Sequence, residues 1–241
     1  MTYQSAEITN GVYALAIWDE AWNSFNNCYL VLRRDAAIMI DAGKREHTDA
    51  LIAGLAACGT APSDVTTLFL THGHHDHVGG SIAFSKAAKF IHPEDAPHLP
   101  SGLRPEFSMN LLDAAERHGF DCSVLGHHTE GSVALYDRTS GVLFTGDHLA
   151  FFGDPLPAEG LVAKAPELRE RAYRFVSGLA HDPADRERLG PAPFHRFVDG
   201  LVSLRRFGAA TAWCTGHGAV LIGDIGTYIN TLITCMAEIR Q

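Results

Sequence analysis

Apolar and polar positions alternate in short blocks over the first part of the chain, and the apolar blocks have the length of β-strands. Blocks at 11–18, 27–32 and 36–40 are separated by turn residues, so three antiparallel strands are predicted. Over positions 47–58 the apolar residues recur instead at helical spacing, and Gly59 supplies a stop signal. The pattern predicts a sheet followed by a helix.

A β-branched, apolar block at 65–70 predicts a further strand, which leads directly into a segment rich in histidine. Gly79 and Gly80 follow that segment, and a short helix is predicted from there to about position 89. The histidine-rich segment is therefore expected to form a loop between a strand and a helix. Such loops commonly hold ligands and catalytic groups, because the elements on both sides are rigid.

The pattern is helical again over about 105–118. Leu111, Leu112 and Ala115 share one face of this helix and are predicted to point inward, and Gly119 is its predicted terminator.

Two strand-like runs at 132–136 and 141–144 then predict a hairpin. Two amphipathic helices are predicted after it, joined by a segment rich in proline, aspartate and glycine at 181–193. Their apolar positions are Leu168, Ala172, Phe175, Val176 and Leu179 in the first helix and Phe194, Phe197, Val198 and Leu201 in the second.

The chain is predicted to end in a short strand at 212–214 and a helix at about 224–239. No internal repeat or linker interrupts the pattern. Residues 1–241 are therefore predicted to form one domain, with a helical, lid-like insertion at about 155–207.

Composition narrows the classes of partner. The chain has 46% hydrophobic residues, and 19 Lys and Arg against 28 Asp and Glu give a formal net charge of −9. Because no basic run interrupts this negative charge, neither nucleic acid nor an anionic membrane is an expected partner. The expected partner is a small-molecule substrate. The sequence leaves open whether the protein forms a homo-oligomer.

Cysteine usage and the N-terminal pattern bear on the compartment. The five cysteines are scattered and include no Cys-x-x-Cys pair, so neither a disulfide framework nor a zinc ribbon is expected. The N-terminal residues show no export signal, and no stretch reaches the roughly 18 apolar residues of a membrane span. A soluble protein in the reducing cytoplasm is therefore predicted.

Positions 72–77 contain four histidines and one aspartate. Imidazole and carboxylate groups are ligands that zinc accepts, and their clustering without cysteine favours a catalytic over a structural metal site. Three further turns that follow strand signals carry candidate ligands: the turns around His128, Asp147 and His217.

Taken together and in this order, the four motifs resemble those of the metallo-β-lactamase-fold hydrolases, and the resemblance spans most of the chain. Four separated motifs in order are far more specific than any one alone. The resemblance implies an α/β fold, a four-layer αββα sandwich, with two metal ions at one edge of its two sheets. It assigns His72, His74 and His128 to one ion, Asp76, His77 and His217 to the other, and Asp147 to both.

The doublet His127-His128 leaves two alternatives, since the family turn usually has one histidine. His128 is preferred, because the residues that follow it match the family turn for longer. Asp41, in a strand-end Asp-x-Gly, matches a family position that lies near the metals and supports a ligand histidine; a plain turn aspartate is the alternative. His75 is predicted to lie outside the ligand set.

The chemistry implied is hydrolysis. Two close cations share a water, lower its pKa, and thereby supply a bridging hydroxide that attacks a carbonyl carbon, with Asp76 and Asp147 as the catalytic carboxylates. Zinc is the expected ion, with iron or manganese as alternatives. The expected substrate is a small ester, thioester or lactone. A persulfide dioxygenase with a single iron is an alternative, as is hydrolysis of a β-lactam or a phosphodiester.

Two loops are predicted to contact the substrate or support the site. Trp22 lies in the connection between the first two strands, which in the family hangs over the metals, and Phe151 lies in the segment after Asp147. For Trp18 and Phe25, which are close to Trp22 in the sequence, a place in the core is the alternative. Among the known branches a glyoxalase II-like or lactonase-like one is favoured, although few residues follow His217 and the helical glutathione-binding domain of glyoxalase II is not expected.

Overall fold

A computed structural model describes residues 2–187, Leu189 and residues 192–237. Thirteen strands lie in the described residues and form two sheets. The strands of the first sheet are β1 (Tyr3–Thr9), β2 (Val12–Asp19), β3 (Ser24–Leu32), β4 (Ala37–Ile40), β5 (Val65–Phe69), β6 (Ala88–Phe90) and β7 (Phe107–Ser108). Those of the second are β8 (Phe120–Val124), β9 (Val133–Asp137), β10 (Val142–Gly146), β11 (Val162–Ala163), β12 (Ala212–Thr215) and β13 (Val220–Ile222).

The helices lie between these strands and after the last of them. They are α1 (Thr48–Ala57), α2 (His75–Val78), α3 (Leu111–Arg117), α4 (Pro166–His181), α5 (Pro183–Glu187), α6 (Phe194–Ser203) and α7 (Ile225–Ala237). Among the described residues no helix is both long enough and apolar enough to cross a membrane.

Both sheets are mixed. In the first sheet the strands follow sequence order; β1 to β4 pair antiparallel and β4 to β7 pair parallel. In the second the order is β11-β13-β12-β10-β9-β8, and β10 pairs parallel with β12. Parallel neighbours need crossover connections, and the long segments between β4 and β5 and between β10 and β12 provide them.

Three apolar clusters define four layers. One cluster joins the two sheets face to face and includes the edge contact between Tyr29 and Phe144, whose ring centres are 5.2 Å apart. A second packs α1, through Leu51, against the outer face of the first sheet. A third packs α4, α6 and α7 against the outer face of the second sheet, around the fully buried Trp213. The predicted αββα sandwich in a single domain is confirmed.

Most predicted elements occur where the pattern placed them, including the three early strands, α1, the hairpin of β9 and β10, and the two amphipathic helices. The helix predicted from the glycine pair is wrong. The helical turn α2 begins earlier, at His75, a 3-10 turn continues to Ala83, and residues 88–90 form a strand. Gly79 and Gly80 are instead sites of close packing, because a Cβ at either would overlap backbone atoms of residues 42–45.

The helix predicted over 105–118 is shorter than expected. Residues 104–106 form a 3-10 turn, residues 107–108 pair with β6, and α3 begins only at Leu111. Leu112 was predicted to point inward, but it is 38% exposed. The terminal helix is described to Ala237, and its predicted end at position 239 lies outside the described residues.

Candidate metal centre

The topology brings the candidate ligands to one edge of the sandwich. In the first sheet β4 and β5 are parallel, so Asp41 and the histidine-rich segment both leave the sheet at the same edge. In the second sheet β10 and β12 are parallel, and Asp147 and His217 follow them in the same way. Because the carboxyl ends of parallel strands meet at one edge, residues far apart in sequence converge there.

Seven side chains form two groups, and within each group the ligand atoms lie within 4.8 Å of one another. The first group contains His72, His74 and His128. The second group contains Asp76, His77, Asp147 and His217. These are the seven residues that the four sequence motifs singled out.

Asp147 lies between the two groups. Its Oδ1 is 3.4 Å from His77 Nε2, and its Oδ2 is 3.3 Å from His217 Nε2. The same Oδ2 is 3.5 Å from Nε2 of His128, which belongs to the first group. One carboxylate can therefore contact cations at both positions.

The outer nitrogens of three ligand histidines are held by hydrogen bonds. His77 Nδ1 lies 2.9 Å from Asp41 Oδ2, and His217 Nδ1 lies 3.1 Å from the carbonyl oxygen of Phe25. His72 Nδ1 lies 3.1 Å from the hydroxyl of Thr71. Because these contacts favour a proton on Nδ1, Nε2 is in each case the nitrogen that is left to bind a cation.

Asp41 serves both groups. Its Oδ1 accepts the Thr71 backbone N–H at 2.8 Å, and its Oδ2 accepts the Thr71 hydroxyl at 2.8 Å as well as the bond from His77. The Thr71 hydroxyl in turn faces His72. Asp41 has a φ of 58°, a left-handed conformation that aspartate tolerates better than most residues. The strand-end aspartate thus orients His77 directly and His72 through Thr71.

Asp95 is a residue that the sequence did not indicate. It is fully buried, and its carboxylate accepts the backbone N–H of Gly73 at 2.6 Å, the hydroxyl of Thr129 at 2.8 Å and the backbone N–H of Gly131 at 2.8 Å. These partners flank His74 and His128, so one carboxylate ties together two ligand loops. Its own segment is a 3-10 turn that has no ligand motif.

The pKa directions differ between the groups. In the first, burial lowers the pKa of His128 to about 4 and lowers that of His72 as well. In the second, burial opposes protonation of His217, but Asp147 and Asp76 raise its pKa to about 9. Burial would raise the pKa of Asp147, whereas His77 and His217 hold it well below its usual range. The two carboxylates and the two histidines of the second group therefore hold each other in their charged forms.

Several inward-facing atoms are buried without a hydrogen-bond partner among the described residues. They are Nε2 of His72, Nε2 of His77 and Oδ1 of Asp147. Leaving such atoms unpartnered is costly, and cations would satisfy all three. Gly216 also makes room here, because a Cβ at this position would overlap Asp147 Oδ1. The cluster is compatible with a dinuclear metal site.

The other histidines of the motifs lie outside the two ligand groups. His75 points outward, with its side chain 67% exposed. His127 and His148 turn away from the ligand groups and pack on Phe197 of α6, with ring centres 5.4 Å and 5.0 Å from it.

An aromatic wall stands over the second ligand group. The Trp22 ring lies 5.7 Å from His217 and 5.6 Å from Phe152, measured between ring centres. Lys44 Nζ lies 3.4 Å from the centre of the Trp22 ring, and the Asp19 carboxylate accepts the Trp22 backbone N–H. Trp22 is thus fixed in place by two groups that the sequence did not single out.

Phe151, which the sequence predicts to contact the substrate or support the site, is 2% exposed and belongs to the core on the outer face of the second sheet. Its neighbour Phe152 is 50% exposed and lies 5.1 Å from His217 between ring centres. A groove of about 530 Å³ runs between Trp22, Phe152 and the ligand groups.

Comparison with known proteins agrees with this geometry. A model of the metallo-beta-lactamase superfamily matches residues 22–185. Human Metallo-beta-lactamase domain-containing protein 1 is 41% identical over 152 residues, which cover 59% of this chain and 54% of that protein. Hydroxyacylglutathione hydrolase from Synechococcus sp. (strain JA-3-3Ab) is 28% identical over 171 residues, which cover 62% of this chain and 65% of that protein. Each match spans less than two thirds of the relative.

Solved structures share the fold. A flavoprotein from Thermotoga maritima superimposes with a TM-score of 0.72 at 16% identity, over 97% of this chain and 61% of that one. A metallo-beta-lactamase family protein from Thermus thermophilus gives a TM-score of 0.63 at 20% identity, over 96% and 81% of the two chains. At these identities the similarity concerns the fold alone. With the family model matching well over half of its length, the chain belongs to the metallo-β-lactamase superfamily.

Proposed function

We propose that this chain is a metal-dependent hydrolase of a small ester, thioester or lactone. The observation that carries the proposal is the position of Asp147, whose carboxylate oxygens lie within 3.5 Å of nitrogens from both ligand groups. A shared carboxylate of this kind suits a pair of cations. Two divalent ions held close together lower the pKa of water toward neutrality and polarise a substrate oxygen.

The ligands proposed for the two ions follow the two groups. His72, His74 and His128 would hold one ion, Asp76, His77 and His217 the other, and Asp147 both. Zinc fits a set of imidazole and carboxylate donors, and iron and manganese accept similar sets. Asp76 and Asp147 are the proposed catalytic carboxylates, because both face the groove.

The lining of the groove supports water as the nucleophile. The described residues around it include no serine, threonine or cysteine. A covalent route through such a side chain therefore has no candidate in this lining. Trp22 and Phe152 offer an apolar wall for the carbon skeleton of a substrate.

The relatives support a hydrolase over an oxidoreductase. Among the curated relatives, several are named hydroxyacylglutathione hydrolase, and one from Pseudomonas entomophila is 30% identical over 167 residues. Flavodiiron proteins share the fold at about 16% identity, which does not bear on the reaction.

The test is metal analysis combined with a substrate panel. Protein loaded with zinc is assayed with thioesters, lactones and phosphodiesters, with Asp147→Asn as the inactive reference. Two zinc ions per chain with turnover of a thioester or lactone support the proposal. One iron per chain with oxygen consumption on a persulfide would overturn it, and so would the absence of turnover on the whole panel.

A further inference from the structure

A second cavity of about 480 Å³ adjoins the metal centre. It shares His128 and Asp147 with the centre and extends beneath α4, from which Ala172 and Phe175 line it. The cavity therefore leads from the proposed reaction centre into the space between the second sheet and its covering helices.

Part of the inner wall of this cavity is apolar. Leu149 and Phe151 come from the segment after β10 and are 6% and 2% exposed, and Phe175 faces them from α4. Asp154 and Arg171 also line it, but they form an ion pair with each other. Apart from Asp147, the described lining residues thus offer no unpaired carboxylate or guanidinium to a ligand, so the chemistry favours an uncharged one.

Two buried histidines interrupt the apolar wall. His127 and His148 are 7% and 4% exposed, and their rings lie 6.2 Å apart at nearly a right angle. Nε2 of His127 has no hydrogen-bond partner among the described residues, and His148 has none of ordinary geometry, although the backbone of Phe197 interacts with its ring. Buried polar atoms of this kind normally have a partner, and a ligand in the cavity would supply one.

The position of His148 is fixed by packing. Its ring stacks on Phe197, with ring centres 5.0 Å apart and planes inclined by 18°, and Gly200 leaves room for it because a Cβ there would overlap the ring. A rigid donor and acceptor is suited to recognising a ligand group in one position.

We propose that this cavity binds the acyl part of the substrate and that His127 and His148 recognise an uncharged hydrogen-bonding group on it, such as an amide or a hydroxyl. The hydrocarbon of the acyl part lies against Leu149, Phe151 and Phe175. The inference rests on the proposed hydrolase function and adds a substrate class to it: compact acyl groups that combine an apolar part with an uncharged hydrogen-bonding group.

The test measures binding separately from turnover. Ketone analogues, in which a methylene replaces the thioester sulfur, are made as a pair of equal length, one ending in a methyl group and one in a primary amide. Their dissociation constants for the zinc-loaded protein are measured by titration calorimetry. The amide should bind about tenfold more tightly, since only it can satisfy the buried ring nitrogens.

His148→Phe keeps a ring that can stack on Phe197 and removes the ring nitrogens, and His127→Phe is the second variant in case the first does not fold. Either should abolish the preference for the amide, whereas His195→Phe, at an exposed position of α6, should retain it. No preference in the unaltered protein, or a preference that survives in both variants, overturns the inference.

The outcomes also distinguish this inference from the proposed function. A preference for the amide without turnover of any ester supports the cavity assignment and contradicts the hydrolase. Turnover of thioesters without a preference supports the hydrolase and overturns the cavity assignment.

Discussion

The two ligand groups of the centre lie side by side but differ in charge and burial. The first consists of three histidines and becomes more exposed from His72 to His128. The second pairs two carboxylates with two histidines, and three of its four members are buried. Neutral imidazoles are ready to bind a cation, whereas the histidines of the second group hold protons because carboxylates surround them.

The difference teaches that two neighbouring metal positions need not load in the same way. An ion entering the first group would displace few protons, since burial already favours the neutral forms of His72 and His128. An ion entering the second must displace protons from His77 and His217, but it gains two carboxylates in return. Binding of an ion at the first position would therefore depend mainly on the geometry of three neutral histidines. Binding at the second would depend mainly on the charge of two carboxylates.

Replacing Asp147, which both groups share, should have the largest effect. Asp147→Asn removes the negative charge but keeps the shape, so one of the two ions is expected to be lost. Turnover should fall by about a thousandfold or more, as when a group that stabilises developing charge is removed. Mass spectrometry of the metals and kinetic assays check this, with the half-exposed Asp121→Asn as control. Two ions and normal turnover in Asp147→Asn would contradict a shared ligand.

His128→Ala and His127→Ala separate the two members of the doublet. Loss of His128 should weaken binding of the first ion by about a hundredfold and leave the second position intact. Loss of His127 should leave both affinities unchanged and lower the free energy of unfolding by about 1 kcal/mol, because a ring contact with Phe197 is lost. Titration with zinc and chemical denaturation measure the two effects, and the opposite order of affinities would mean that His127 is the ligand.

Asp41→Asn tests how one carboxylate supports both groups. The affinity for the second ion should fall by about tenfold to a hundredfold, because His77 loses a charged partner at 2.9 Å. The first ion should be affected less, since Asp41 reaches His72 only through Thr71. Thr71→Val is the matched variant and should reverse the ranking. Equal losses at both positions in both variants would show that the groups are not oriented independently.

The pH dependence of metal binding should differ between the two ligand groups. His217 has a pKa raised to about 9, so below that pH it carries a proton that the second ion must displace. The affinity for this ion should rise about tenfold per pH unit for each proton displaced, between about pH 7 and pH 9. Histidines whose pKa is lowered are already neutral there, so the first affinity should stay nearly constant. Calorimetry in buffers of different ionisation heat counts the protons, and equal release in both steps would disprove the contrast.

The smallest expected effect concerns the wall over the second group. Trp22→Ala should raise KM for an apolar substrate by about fivefold without changing the metal content, because an aromatic contact is lost. Phe152→Ala is the companion variant on the other side of the groove. An unchanged KM in both would mean that the substrate does not use this wall.

The sequence predicted the parts of the molecule that depend on local pattern. Alternation and helical spacing indicated most strands and helices, and four dense motifs pointed to the seven side chains that the fold brings together. Edge strands were missed, because β1 is only partly buried and its residues do not alternate cleanly. The start of α3 was missed because residues 107–108 pair with β6, a contact distant in the chain, and Leu112 was misplaced because the buried face of α3 is narrow and contains Leu111, Ala114 and Ala115.

The parts of the site that were missed depend on contacts through space. Nothing in the residues around Asp95 shows that it accepts bonds from Gly73 and Gly131. Likewise, only the fold shows that Lys44 lies on the ring of Trp22. The sequence also does not show that Phe151 turns inward while Phe152 lies over the second group, since this depends on the packing of two adjacent rings.

The hydrogen bonds of Asp95 bear on the free energy of metal binding. Its three bonds fix the loops on either side of His74 and His128 through contacts that involve no metal ligand side chain. Folding itself can therefore order these loops and cost their conformational entropy without an ion. An ion that binds to two loops that are already ordered does not have to supply the free energy of ordering them. Its affinity is therefore higher than it would be for disordered loops.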